Sequence, residues 1–257
     1  MDIDIDTDIA ASIAWFDGPD GRSIAHRFLP GAAPAVVFLP GYKSDMSGSK
    51  AQAVLRWAAE QGRACLLLDY SGCGQSSGDF ADGTLSRWRD EVVALIRAKG
   101  IARAVLCGSS MGGWLMLLVA EALPDVVEAL VGIAPAPDFT DWGIAATQAA
   151  ALAAGQAVWA ANPYGPEKTP TYPEFFADGQ THHLRLNEGI AFDGAVRLIH
   201  GQRDGDVPWE ISLRLARAVR SSDVQVHLIK DGDHRLSRPA DIALMLAALS
   251  ELSQRAG

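Results

Sequence analysis

The residues best placed to do chemistry begin with Ser110. It stands in Cys107-Gly108-Ser109-Ser110-Met111-Gly112-Gly113, with glycine two places before it and two after. An apolar run, Ala104–Cys107, leads into this segment, and an apolar helical pattern leaves it. A strand that turns sharply into a helix can expose a serine hydroxyl only if the residues two before and two after it lack side chains. Gly108 and Gly112 meet that need around Ser110. Around Ser109 the same places are filled by Cys107 and Met111. The plain alternative is a glycine-rich turn with an incidental serine.

A hydroxyl is a weak nucleophile at neutral pH. It needs a base within hydrogen-bond reach, and the base needs a carboxylate to orient it. Both types occur downstream. The apolar run Val196–Ile199 opens into His200-Gly201-Gln202-Arg203-Asp204-Gly205-Asp206. Asp204 and Asp206 are both candidates for the acid, and the ordinary role of either is to cap a turn or a helix. Val224–Ile229 opens into Lys230-Asp231-Gly232-Asp233-His234, and His234 precedes the last helix. His200 reads as packing beneath the acid loop. The adjacent His182 and His183 have no cysteine or carboxylate partners at metal spacing, so no metal site is expected. Negative charge developing on a substrate oxygen needs two N–H donors. Met111, directly after the serine at a helix start, is one. Tyr42, in the turn Leu39-Pro40-Gly41-Tyr42-Lys43, is the choice for the other, and a simple turn at Pro40-Gly41 is the equal alternative.

Positioning these groups requires a sheet. Ile9–Phe16 and Ser23–Phe28 read as an opening hairpin across Asp17–Gly21. Ala35–Leu39, Ala64–Asp69, Ala104–Cys107 and Ala129–Ile133 are continuous apolar runs, as expected of strands buried on both faces. Between and after them, Ser47–Gln61, Leu85–Lys99 and Ser110–Ala122 have helical spacing; the first two stop at Gly62 and Gly100. The rhythm resumes with Val196–Ile199, the helix Trp209–Val219, Val224–Ile229 and the helix Ala240–Leu252. Alternation of this kind predicts an α/β fold with a mostly parallel central sheet and helices on both faces. Residues 1–134 and 195–257 form its core. Residues 135–194, rich in Pro, Ala and aromatics and without a clear strand, are expected to be an inserted lid. Trp142, Trp159, Tyr164, Phe175 and Phe176 are available there to line an apolar substrate pocket, whereas Trp114 reads as core.

Composition sets the limits. With 257 residues and 49% hydrophobic content, the chain can bury a core without disulfide or metal staples. A formal charge of −9, from 31 acidic and 22 basic residues, would repel a phosphate backbone or an anionic membrane. Of the three cysteines, Cys65 and Cys107 read as buried small hydrophobes and Cys73 as an inert loop thiol; free thiols fit a reducing compartment. The stretch from Ile144 to Ala161 is broken by Gln148, Gly155 and Gln156 and is too weakly apolar to span a membrane. The start, MDIDIDTDIA, has neither the basic, apolar character of a secretory signal nor the Arg-rich character of a presequence, which points to the cytoplasm.

Taken in order, LPGYKSD, DYSGCGQSSG, GSSMGGW, LIHGQRDGDVPW and GDHRLS resemble the α/β-hydrolase family over nearly the whole chain. PGYKSDMSGSKA, HGQRDGDVPW and DHR resemble its branch of acyl-protein thioesterases and acyl-glucuronide esterases. The resemblance implies a serine esterase or thioesterase that needs no cofactor and acts on a small-molecule or acylated-protein substrate. It places the acid on the fifth residue of the HGxxD string, Asp204, with His234 following 30 residues later (234 − 204). Many relatives carry His-Gly where this chain has Pro40-Gly41. Two other readings share these residues: cleavage of amide, peptide or carbon–carbon bonds, and ligand binding by a retained triad.

Overall fold

A computed structural model of the chain describes residues 12–163, 165–182, 186 and 189–255. The first strands are β1 (Ala14–Asp17), β2 (Ser23–Leu29), β3 (Ala32–Leu39), β4 (Arg63–Leu68), β5 (Ala104–Ser109) and β6 (Val127–Ile133). Two short strands, β7 (Val158–Ala160) and β8 (Thr169–Thr171), form a separate antiparallel pair, and β9 (Ala195–Gly201) and β10 (Val224–Ile229) return to the main sheet. That sheet has eight strands in the order β1-β2-β4-β3-β5-β6-β9-β10. β1, β2 and β4 pair antiparallel at one side, and every pairing from β4 to β10 is parallel. The early part of the expected first strand, residues 9–11, lies outside the described residues.

The helices are α1 (Ser49–Glu60), α2 (Leu85–Ala98), α3 (Met111–Ala122), α4 (Phe139–Trp142), α5 (Ala146–Ala153), α6 (Pro173–Thr181), α7 (Glu210–Ala218) and α8 (Pro239–Arg255). α2 starts where the Thr84 hydroxyl accepts from Arg87 N–H at 3.1 Å. α1 and α2 are followed by Gly62 and Gly100, whose φ values of 63° and 64° a side chain would resist.

The strand period divides the core. Val37, Leu39, Leu66, Leu68 and Leu106 face one way, against Trp88 of α2, Trp114 of α3 and Leu215 of α7. Val36, Phe38, Cys65, Leu67 and Val105 face the other way, against Val54 of α1 and Leu249 of α8. A side chain buried on either face is removed from water, so a one-residue slip would exchange the two cores. α3 has no polar face in its first ten residues: Met111 to Ala120 are all buried. Among the described residues, no helix is long and apolar enough to cross a membrane.

Residues 135–194 leave the end of β6 and return at β9, its neighbour in the sheet. The expectation of no strand there is corrected by β7 and β8. Their three residues each are too few to show an alternating period, and Pro170 sits inside β8.

Candidate active site

Ser110 sits between β5 and α3 with φ 55° and ψ −119°, a conformation that L-residues with a Cβ avoid. Three backbone bonds hold it there. Its N–H donates to Ile133 O at 2.9 Å, and its carbonyl accepts from Gly113 N–H at 2.8 Å and Ala136 N–H at 3.0 Å. The glycines around it are steric necessities. A Cβ on Gly108 would lie 2.2 Å from Gly112 O, and one on Gly112 would lie 2.1 Å from Leu39 O. Both obstacles are backbone, which cannot step aside. Gly112→Ala is therefore expected to lose about 3 kcal/mol of stability, or roughly 10 °C in Tm. It should also displace the turn after β3. An unchanged melting curve would contradict this reading.

The acid and base loops leave neighbouring strand ends and are stitched together. Gln202 N–H donates to Ile229 O at 2.8 Å and Arg203 N–H to Gly232 O at 2.9 Å. A Cβ on Gly201 would meet Gly232 O at 2.2 Å, so the loops touch through backbone. This crossing brings His234 Nδ1 to 2.8 Å from Asp204 Oδ2. The opposite ring nitrogen, Nε2, lies 3.1 Å from Ser110 Oγ. Ser110, Asp204 and His234 thus form one hydrogen-bonded chain across 124 residues of sequence.

Asp204 rather than Asp206 carries this contact. Its side chain is wholly buried and accepts four N–H donors. His200 Nε2 and His234 Nδ1 donate to Oδ2 at 3.1 and 2.8 Å, and the Asp206 and Val207 amides donate to Oδ1 at 2.9 and 2.8 Å. Asp206 is exposed. Burial alone would push the Asp204 carboxyl up, but the bonds from His200 and His234, the His234 charge and the Val207 amide outweigh it. The carboxyl ends well below the usual carboxylate range. It therefore contributes stability that is complete above its unfolded pKa of about 3.9 and is lost as pH falls toward the folded value. Below about pH 4 the wild type should lose Tm more steeply than Asp204→Asn; equal slopes would show that this carboxylate is not depressed.

Ligand atoms of Asp204, Asp206 and His234 lie within 4.8 Å of one another. The donor set does not suit a cation, because a carboxylate has about four lone-pair positions and those of Asp204 are all taken by N–H groups. His182 is bonded to Ser86 Oγ at 2.5 Å, and His183 lies outside the described residues. Cys73 is buried, and its thiol is pushed up to about 12 by that burial and by the nearby carboxylates of Asp69 and Glu91. It is not a thiolate at neutral pH.

The Gly41–Ser44 turn, closed by Ser44 N–H to Gly41 O at 3.1 Å, lies directly against the serine. A Cβ on Gly41 would be 3.3 Å from Ser110 Cβ. Buried Tyr70 fixes the turn from below by donating its hydroxyl to Pro40 O at 3.0 Å. The Tyr42 ring is anchored between Phe80 at 4.9 Å and Phe175 at 4.8 Å, centroid to centroid. Met111 opens α3, where first-turn N–H groups have no intrahelical acceptor.

A cavity of about 500 Å³ opens over Ser110 and His234, walled by Tyr42, Lys50 of α1, and Ala160 and Thr169 of the β7–β8 pair. Of the five aromatics expected to line it, four stand elsewhere. Trp142 donates its indole N–H to Pro137 O at 2.7 Å and packs beside Val207 and Ile211. Trp159 is 55% exposed, because alternation along β7 turns it away when Ala160 faces in. Phe175 is buried behind Tyr42, and Phe176 is half-buried on α6 without reaching the cavity wall. Tyr164 lies outside the described residues. Trp114 is core, as its helical position implies, and donates its N–H to His182 O at 3.2 Å.

Comparison with known proteins fits this architecture. Residues 34–157 match the family described as alpha/beta hydrolase fold. The human mitochondrial palmitoyl-protein thioesterase ABHD10 is 36% identical over 244 residues, which span 94% of this chain and 80% of that protein. The chain belongs to the α/β-hydrolase family. It is a hydrolase. The mouse α/β-hydrolase domain-containing protein 10 superposes with a TM-score of 0.88 at 34% identity, covering 96% of this chain and all of that one (100%). A putative hydrolase from Agrobacterium vitis gives 0.87 at 35% identity, covering 94% and 99%. The expected cytoplasmic location is corrected by these relatives: the human, orangutan and mouse proteins are all mitochondrial by name. Free thiols suit any reducing compartment, so they could not distinguish between the two.

Proposed function

We propose that this α/β-hydrolase cleaves acyl thioesters and esters through Ser110, His234 and Asp204. The observation that carries the reading is the unbroken relay from Ser110 Oγ through both ring nitrogens of His234 to Asp204, at 3.1 and 2.8 Å. His234 Nε2 takes the hydroxyl proton as Ser110 Oγ attacks the acyl carbonyl. Asp204 holds the ring with Nδ1–H toward itself, so Nε2 is the free base, and it stabilises the imidazolium that forms. The Met111 and Tyr42 amides receive the oxyanion. Collapse of the tetrahedral intermediate passes the proton to the leaving thiol or alcohol and leaves an acyl-serine. Water, activated by the same imidazole, then releases the acid. These steps use only the chain's own groups and water.

The human relative's name, palmitoyl-protein thioesterase, supports a long-chain acyl thioester on protein as the substrate. Residues 135–194 serve as the lid, with β7 and β8 forming one wall of the cavity. The test is a panel of an S-palmitoyl peptide, a palmitoyl ester and the matching amide. It is paired with fluorophosphonate labelling mapped by mass spectrometry. Thioester and ester turnover with label on Ser110 is expected. Turnover of the amide alone, or label on another residue, would overturn the reading.

A further inference from the structure

We propose that His200 is a positioning residue whose Nε2–H, locked by Ser212, holds the Asp204 carboxylate in register with His234. The proposal rests on the assignment of Asp204 and His234 made above. His200 lies at the end of β9, four residues before Asp204, and its side chain has no exposed surface. Its Nε2 is 3.1 Å from Asp204 Oδ2 and 3.1 Å from Val207 O. Both are acceptors, so Nε2 carries the hydrogen. Nδ1 is then the acceptor, and the buried Ser212 hydroxyl on α7 donates to it at 2.7 Å. A single neutral tautomer satisfies every polar contact of the ring.

Oδ2 is thus pinched between two imidazoles, one from each side of the acid loop. His234 reaches it from the cavity side and His200 from the core. A phenyl ring in the same place would fill the space as well, but it would leave Oδ2 with one donor. Among the described residues, the groups bonded to the His200 ring are the Asp204 carboxylate, the Val207 carbonyl and the Ser212 hydroxyl of α7, with His234 and Asp206 beyond Asp204. Without the His200 N–H, the carboxylate is freer to rotate and more basic. A more basic partner favours the His234 imidazolium, so the neutral base is reached only at higher pH.

The test measures kcat, KM and the pH profile of kcat/KM in His200→Phe, His200→Gln, Ser212→Ala and Asp204→Asn. His200→Phe should lose about tenfold in kcat, with KM little changed and the acid limb moved to higher pH. Glutamine, whose amide nitrogen can reach the Nε2 place, should recover part of that loss. Ser212→Ala leaves the ring but removes the donor at Nδ1, so the tautomer with hydrogen on Nε2 is held less firmly. It should move kcat and the limb in the same direction, and it decides the matter if the phenylalanine variant does not fold. Wild-type kcat and an unmoved acid limb in a folded His200→Phe, or in Ser212→Ala, would overturn the role of His200. If Asp204→Asn is fully active as well, it is the triad assignment that fails.

Discussion

Ser110→Ala is expected to lower kcat by about 10⁵-fold or more, with fold and melting temperature retained. The loss is large because no other group can replace the attacking oxygen: the acyl-enzyme route is closed, and only solvent attack in the oriented site remains. Stability should hold because the substitution removes a single oxygen and one contact, Oγ to His234 Nε2 at 3.1 Å. Alanine keeps the Cβ, so the strain at φ 55° is neither relieved nor worsened. Circular dichroism and Tm check the fold, and single-turnover thioester hydrolysis checks the rate. A residual rate above about 1% of wild type would point to another nucleophile.

Asp204→Asn is expected to cost about 10⁴-fold in kcat, for a reason peculiar to this carboxylate. Asp204 faces N–H donors on both oxygens, two amides on one and two imidazoles on the other. An asparagine must turn its NH₂ toward one of these pairs. Facing the amides, it sets two donors against two fixed donors. Facing the imidazoles, it drives His234 to the tautomer with hydrogen on Nε2, which cannot accept the Ser110 proton. The clash with the fixed amides disfavours the first orientation, and the second disables the base while leaving the ring near the serine. The ring proton on His234 should accordingly leave Nδ1 in the variant, which nitrogen-15 chemical shifts can follow. A kcat within tenfold of wild type would sink the assignment.

Much of this site is legible in the sequence. The constraint around Ser110 is local: the glycine spacing states a steric condition, and Gly108 and Gly112 prove to touch backbone at 2.2 and 2.1 Å. Asp204 and His234 each follow an apolar strand at the sheet edge where the loops converge, so strand ends located them. Choosing Asp204 over Asp206 needed more than residue type, since both are aspartates in one turn. Local pattern failed in residues 135–194. There the orientation of each aromatic depends on what α4, α6 and the β7–β8 pair dock against, and a three-residue strand carries no readable period. The burial of His200 was legible, as a ring beneath the acid loop. Its bond to Asp204 was not, because a histidine that fills space and one that donates a hydrogen look alike in sequence.

The Tyr42 ring ties together two parts of the molecule that would otherwise diverge separately. Its backbone stands beside Ser110, while its side chain is gripped by Phe139 and Phe175, which belong to the region between β6 and β9. Grafting that region from one relative onto another would alter turnover along with selectivity, unless the aromatic grip were carried across with it. Evolution toward a new acyl group in this lineage is therefore expected to proceed by small changes at the rim, such as those at Ala160 and Thr169, with the deep aromatics held fixed.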